Sequence, residues 1–405
     1  MKRVVEYIVA LSLATTAALA NNSIVAVKVD KDISNLKCGD KLIKEYAKFQ
    51  EIVLYPQTTI KLNDKKANEL NQNPKAKKVK VAALYDGKSV AIVVKWSDST
   101  KDIQKGNKSD IYADGFAVQF ANNPKDPNKL PYIGMGSKNR PVVIYLQKAV
   151  ERVYEPNGDG IVGYQVNPHN INRFGKDLKK FEKRVDDLAI KDYQKAFISE
   201  GFRSMTEIKD KSASFNADMH YVDSKKMWGG MVVKPLKDQY LNLESGAFPI
   251  AVAVWDGKKL NRDGLKHLSG WIAVKLPDRN GGKALIEAVN EKVKGDIAKG
   301  KEIAITNCAS CHRFKGAQDA PIYMAPDLSN IGGQTTAGYI RESIVDPNAV
   351  IVPGYNRNAH PNFAWYMIDD KGNRTSTMPP FDWLDQKSLN DLIAFMQTQK
   401  AEVEK

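Results

Sequence analysis

Residues 79–96 read VKVAALYDGKSVAIVVKW, two apolar, β-branched runs separated by Asp86-Gly87. Asp-Gly is the pair that a tight hairpin turn favours, so the stretch predicts two antiparallel strands, 79–85 and 89–96. The rhythm continues outward. Residues 116–121 follow Asp114-Gly115, and short apolar runs recur at 142–146, 231–233, 250–255 and 271–276. Many short strands with Gly and Asp turns predict a mainly β domain over 21–277, an antiparallel β-sandwich with inserted helices. Two segments depart from the pattern. Residues 63–78 are polar and read as a loop. Residues 176–197 place Leu178, Phe181, Val185, Leu188 and Ile190 at roughly helical spacing and read as one or two surface helices with solvated charges.

The chain of 405 residues is long enough for two or three domains, and its composition is that of globular proteins. Three cysteines are too few for a disulfide scaffold. A formal charge of +14 leaves nucleic acid, anionic membrane and acidic proteins all open as partners. The first twenty residues narrow the choice. Lys2 and Arg3 precede a short apolar run interrupted by Glu6, and Ala18-Leu19-Ala20 offers a cleavage site. Residues 1–20 therefore read as a secretory signal peptide that is removed, leaving no transmembrane anchor. Export places the working compartment in the periplasm and speaks against a nucleic-acid partner. Asp278 to Gly282 opens a linker over 278–294. Beyond Gly282, 284–294, 297–307, 338–343 and 388–397 read as helices, the first of them within the linker, giving an all-α C-terminal domain over 295–405.

Cys308-Ala309-Ser310-Cys311-His312 is the attachment signature of c-type haem. Two thiols about one helical turn apart add to the two vinyl groups, and the adjacent imidazole becomes the proximal iron ligand. A thioredoxin-type reading needs a βαβ context, and a zinc site needs a second ligand pair; the sequence has neither. Covalent haem c on Cys308 and Cys311, with iron held by His312, is the expectation. Met378, in Thr377-Met378-Pro379-Pro380-Phe381, is the best sixth ligand, because prolines stiffen the loop that presents the thioether. Met324 and Met367 are rivals; Met367 sits in the largely apolar run 363–368, which reads as packing.

Residues 295–400 resemble class I cytochrome c. The resemblance rests on Gly300, on Ala325-Pro326-Asp327-Leu328, on 343–347 and 351–355, on Met378-Pro379-Pro380-Phe381 and on the terminal 392–395 helix. It implies packed N- and C-terminal helices and decides for Met378 as the axial thioether. Nothing at these positions resembles an acid–base or nucleophile constellation, so an electron carrier is expected and no catalytic residue is assigned.

The larger domain shows no Gly-rich phosphate loop, paired histidine ligands or nucleophile elbow. Its segments 91–102, 114–120, 131–136, 141–145, 231–236 and 250–257 are similar to the haem-b-binding γ subunit of the ethylbenzene and dimethyl sulfide dehydrogenase group of molybdenum enzymes. That group includes chlorate, selenate and some periplasmic nitrate reductases. The resemblance implies one noncovalent haem b ligated by Met135 and Lys266. Glycines beside Met135 suit close approach to a flat macrocycle, and a lysine ligates only as a neutral amine. His267 adjoins Lys266, and imidazole is the commoner haem ligand, so both neighbours stay in play. Trp96, Trp228, Trp255 and Trp271 read by default as sandwich core, with lining of the haem pocket as the alternative. His169, His220 and His360 read as structural or surface groups, and Cys38 is left without a partner cysteine.

The expectation is an exported dihaem electron-transfer subunit without turnover of its own. The resemblance implies partners: an iron–sulfur β subunit, a molybdenum catalytic α subunit, and a soluble cytochrome or membrane quinol oxidase. The alternative is a monohaem cytochrome c fused to a ligand-binding or docking β-sandwich.

Overall fold

A computed structural model describes residues 22–404 except 61, 107–110, 155–175, 203, 210–213 and 355–358. The expected leader and His169 lie outside the described residues.

The Lys77–Tyr85 and Ser89–Ser97 strands pair antiparallel across Asp86-Gly87. Both residues of that turn have a physical reason. Gly87 sits at φ 93°, a conformation costly for a side chain, and the Asp86 carboxylate accepts the Lys88 and Ser89 amides at 2.8 and 2.7 Å. From this hairpin the sheet extends both ways. In spatial order it runs Thr206–Glu207, Tyr193–Ser199, Val142–Lys148, Gly115–Phe120, Ala247–Trp255, His267–Leu268, Gln50–Pro56, Lys77–Tyr85, Ser89–Ser97, Met227–Pro235 and Asn216–Val222. These neighbours are all antiparallel; only the short Ser23–Val25 and Val27–Lys28 strands add on in parallel.

The sheet folds over itself into two faces around one apolar core. Alternate residues of each strand fill it: Phe116, Val118 and Phe120 from one strand, Ile250, Val252 and Val254 from another, Val90, Ile92, Val94 and Trp96 from the opposite face. Trp96 lies 5.9 Å from Phe116 and 6.3 Å from Trp228, ring to ring. Trp96 and Trp228 are thus core, as their size suggests. Ile33, Leu36 and Ile43 cover the outside of one face.

The fold class expected from the sequence is the one observed, with local differences. Residues 65–70, read as loop, form a short helix because Asp64 caps it, accepting the Ala67 amide at 3.0 Å. Of the stretch read as helix, only Lys176–Asp187 is helical; Tyr193–Ser199 is a strand. It is held by pairing to Val142–Lys148, a partner that helical periodicity does not reveal. The helix expected over 284–294 is observed, as Lys283–Asn290, and its Leu285 and Val289 are buried against the sheet.

The C-terminal domain is helical, with helices at Ile297–Asn307, Ile331–Gln334, Ala337–Val345 and Gln386–Met396. The first and last cross around Ala304, Phe314, Leu392 and Phe395. This domain is fixed to the β domain by polar contacts with well-defined geometry. Arg140 grips Glu342 with two bonds of 2.6 and 2.7 Å, a bidentate pair that sets orientation as well as attraction. Asn330 Nδ2 donates to the Pro56 carbonyl at 3.0 Å, and Gln334 Nε2 to Tyr55 at 3.2 Å. Among the described residues, no helix is long and apolar enough to cross a membrane.

Candidate cofactor sites

The Ile297–Asn307 helix ends at Cys308, and one tight turn follows. Cys311 and His312 donate their amides to the Cys308 carbonyl at 3.1 and 2.8 Å. That turn brings the two thiols to the same side. Burial pushes the Cys308 thiol up to about 11, and the neighbouring Cys311 adds to this. His312 is partly buried, and the loss of solvent around its ring pushes its pKa down, so the ring is neutral near pH 7. Its Nδ1 lies 2.7 Å from the Pro326 carbonyl. A carbonyl only accepts, so Nδ1 carries the proton and Nε2 keeps its lone pair. Cys308, Cys311, His312 and Met378 all line one cavity of about 580 Å³. This donor set, a neutral imidazole with an oriented lone pair beside two thiols and a thioether, fits covalent haem.

The Met378 loop is pinned. Thr377 donates its amide to Trp365 O at 3.2 Å and its hydroxyl to Ala364 O at 2.8 Å, while Ser376 Oγ accepts the Met378 amide. Met324 and Met367 line the same cavity. Met367 differs from expectation. It is 61% exposed, so only part of the 363–368 run, notably Trp365 and Tyr366, is packing. Met367 lies on the short Tyr366–Ile368 strand, where neighbouring side chains alternate in direction.

The second cavity, about 410 Å³, lies on the outer face of the sandwich. Strand alternation builds it. The residues between the core positions point the other way: Gly115, Ala117 and Gln119; Ala251, Ala253 and Trp255; Ile144, Leu146 and Lys148. Ala117 stands directly opposite Ala253 across the ladder, with Leu146 on its other side. Three alanines and a glycine make a shallow floor, the shape a flat macrocycle needs. Met135 and Lys266 both line this cavity.

Each is held unusually. Met135 has φ 81°, a left-handed conformation rare for a side-chain-bearing residue, and Gly136 follows at φ 89°. A Cβ on Gly136 would meet the Ser199 carbonyl at 2.7 Å, so only glycine lets the turn close there. Lys266 is buried, and burial lowers its amine to about 8, with Asp263 opposing the shift. Its Nζ sits 5.2 Å over the Trp255 ring. A buried lysine of depressed pKa and a thioether fit an iron. Lys148 and Arg262 in the same lining fit the carboxylates of a porphyrin edge.

His267 faces elsewhere. It follows Lys266, so its side chain points to the opposite side of the backbone, where Nε2 contacts the Lys75 carbonyl at 2.9 Å. Burial lowers it to about 4. It does not line the cavity. Among the four tryptophans, Trp255 alone does; Trp271 is buried nearby and donates to Pro131 O. His220 is exposed on its strand, and the His360 ring lies 5.2 Å from Phe363. Cys38 is partly buried against Asp218, its thiol pushed up mainly by burial.

Sequence reasoning did not find Thr59 and Tyr132, which belong to the β domain yet line the larger cavity, nor Tyr112, Lys148 and Arg262 in the smaller one. The alternation of small residues in 115–119 and 251–255 was the one available signal for the floor.

Asp98, Asp114 and Asp256 bring carboxylate oxygens within 4.8 Å of one another at the strand ends beside the smaller cavity. Asp114 is fully buried and accepts three bonds, from Trp228 Nε1, the Asp102 amide and the Gly257 amide, tying strand ends together. Burial raises its pKa to about 7 against these bonds. A carboxyl raised above its unfolded value contributes stability below about pH 4 that is lost as pH rises toward 7. The loss is on the order of 4 kcal/mol. Thermal midpoints of wild type and Asp114→Asn, compared across pH 4–8, should show this pH dependence in the wild type only. Parallel curves would refute it.

The ethylbenzene dehydrogenase family model matches residues 33–267, more than half of the chain, and the cytochrome c model matches residues 297–400. No curated protein matches the chain. Among solved structures, a family 9 carbohydrate-binding module from Caldicellulosiruptor kristjanssonii in complex with cellotriose is 8% identical at TM-score 0.29, covering 64% of this chain and 96% of that one. The same module in complex with glucose is 9% identical at TM-score 0.29, covering 64% and 98%. At that TM-score neither likeness bears on function.

Proposed function

The chain belongs to the ethylbenzene dehydrogenase family and ends in a cytochrome c domain, and on that premise we propose that it is an exported two-haem electron-transfer subunit of a molybdenum-enzyme complex. One observation carries the reading. Each domain has its own cavity, and each cavity gathers a complete set of candidate iron and porphyrin ligands: Met135 with Lys266, and Cys308, Cys311 and His312 with Met378. Each haem, when bound, supplies a one-electron iron couple. The residues do the rest. Lys266 holds a buried amine ready to lose its proton, His312 holds an oriented lone pair, and apolar walls exclude water.

The β domain docks on an iron–sulfur subunit that connects to the molybdenum catalytic subunit. The c domain exchanges electrons with a soluble cytochrome or a quinol oxidase. The charge of +14, of which residues 1–20 carry only +1, suits an acidic partner and predicts salt-sensitive association. The working compartment is the periplasm.

The test is a pyridine haemochrome spectrum of the protein made with its c-type maturation machinery. Equal amounts of haem b and haem c are expected, with no substrate turnover by the chain alone. Haem c alone, even after reconstitution with free haem, would leave a cytochrome fused to a domain of another purpose. Recovery of iron–sulfur and molybdenum subunits with the tagged chain tests the partners.

A further inference from the structure

We propose that residues 132–135 form a wall shared by the two cavities, so that the β domain completes the environment of haem c; this rests on the two-haem reading above. Tyr132 lines the larger cavity, and the very next residue, Ile133, lines the smaller one together with Met135. Consecutive α-carbons are only about 3.8 Å apart, so the two linings are separated there by a single thickness of chain. Thr59 reaches the larger cavity beside Tyr132, the two oxygens 3.2 Å apart. The Tyr132 ring lies 5.4 Å from that of Tyr339, a residue of the c domain that lines the same cavity.

The contact recurs at a second place. Phe202 lines the smaller cavity, and its neighbour Gly201 packs on Val352 of the larger one. A Cβ on Gly201 would come within 2.7 Å of Val352 Cγ1. One continuous apolar cluster includes Ala117, Ala253 and Met135 at one end and Val352, Trp365 and Tyr366 at the other. The wall is rigid. Gly136 donates its amide to Tyr132 O at 2.9 Å, Lys138 donates to Ile351 O at 3.1 Å, and Arg140 is locked to Glu342.

A cytochrome haem is ordinarily tuned by ligands and dielectric within its own domain. Here two hydroxyl-bearing side chains of another domain, Thr59 and Tyr132, stand in its wall, and Tyr132 is on the segment that carries Met135. Removing bulk at Tyr132 lets water reach the larger cavity, which favours the more highly charged ferric state and lowers the potential. The same change loosens the turn that presents Met135 to the smaller cavity.

The experiment begins with haem content and continues with redox titration of each haem in the intact protein. Tyr132→Ala is expected to lower the midpoint potential of haem c and to shift the haem b spectrum. Tyr132→Phe, which keeps the ring, should return both most of the way. Thr59→Val keeps the shape, removes one hydroxyl, and should shift haem c while leaving the haem b spectrum in place. Both haems at wild-type stoichiometry with an unmoved haem c potential in Tyr132→Ala and Thr59→Val would overturn the shared wall. Wild-type protein without haem b would overturn the two-haem reading instead. If Tyr132→Ala does not accumulate, Thr59→Val decides by the same criterion.

Discussion

Lys266→Leu is expected to strip the protein of haem b while leaving haem c at full occupancy. Losing even a residue that only orients a metal ligand costs 10- to 100-fold in affinity, so loss of the ligand itself should cost more than about 100-fold. The haemochrome ratio of b to c reads this directly. A second readout separates a ligand from a merely structural lysine. Burial lowers the Lys266 amine from 10.5 to about 8, so at pH 7 the haem-free fold carries a charge it would rather shed. A shift of that size corresponds to roughly 3 kcal/mol. Lys266→Leu should therefore raise the thermal midpoint of the haem-free protein even as it abolishes haem b binding. A residue kept for stability would show the opposite sign. His267→Ala should spare haem b, because its ring is turned toward the Lys75 carbonyl. If haem b survives in Lys266→Leu and departs in His267→Ala, the assignment of the two neighbours is reversed.

That contrast shows what the sequence reveals and what it withholds. The 79–96 hairpin was legible because local chemistry decides it: Asp86 and Gly87 set the turn and β-branched residues set the strands. The Cys308 to His312 motif was legible because its spacing is itself the chemistry. Met135 and Lys266 are different. They are far apart in sequence and line one cavity, whose floor exists because the Gly115–Phe120 and Ala247–Trp255 strands pair in one particular register. No local pattern encodes that register, so the residues alone could not choose between Lys266 and His267. The Tyr193–Ser199 strand was misread for the same reason, its full-length pairing being with the distant Val142–Lys148 strand. Thr59 and Tyr132 lay furthest from reach. They serve a cavity in another domain, and only the docking fixed by Arg140, Asn330 and Gln334 brings them to it.

Gly300→Val is expected to do the reverse of Lys266→Leu, removing haem c and sparing haem b. Glycine inside a helix costs about 1 kcal/mol relative to alanine, so its place in the Ile297–Asn307 helix calls for a compensating reason. The reason is the crossing with the Gln386–Met396 helix. A Cβ on Gly300 would lie 2.0 Å from the Asp391 carbonyl oxygen and 2.9 Å from Phe395 Cβ. These obstacles are backbone and a buried aromatic stem, which cannot swing aside. The helices can only separate, and with them goes the Ala304, Phe314 and Phe395 core. The Asp296 amide also bonds to the Asp391 carboxylate at 2.7 Å, so separation breaks a polar tie at the same crossing. Overpacking typically costs 1–3 kcal/mol, and valine here should reach or exceed about 3, a large share of a small domain's stability. Cys308 caps this same helix, so a displaced helix carries both thiols and His312 out of register with the Pro326 carbonyl. Covalent haem per chain should fall several-fold, and the thermal transition of the C-terminal domain should drop or vanish. Gly300→Ala, which adds only the clashing Cβ, should fall between. The smaller cavity draws none of its lining from this helix pair, so haem b should persist. Wild-type haem c content and an unchanged transition in Gly300→Val would mean that the two helices do not meet as described.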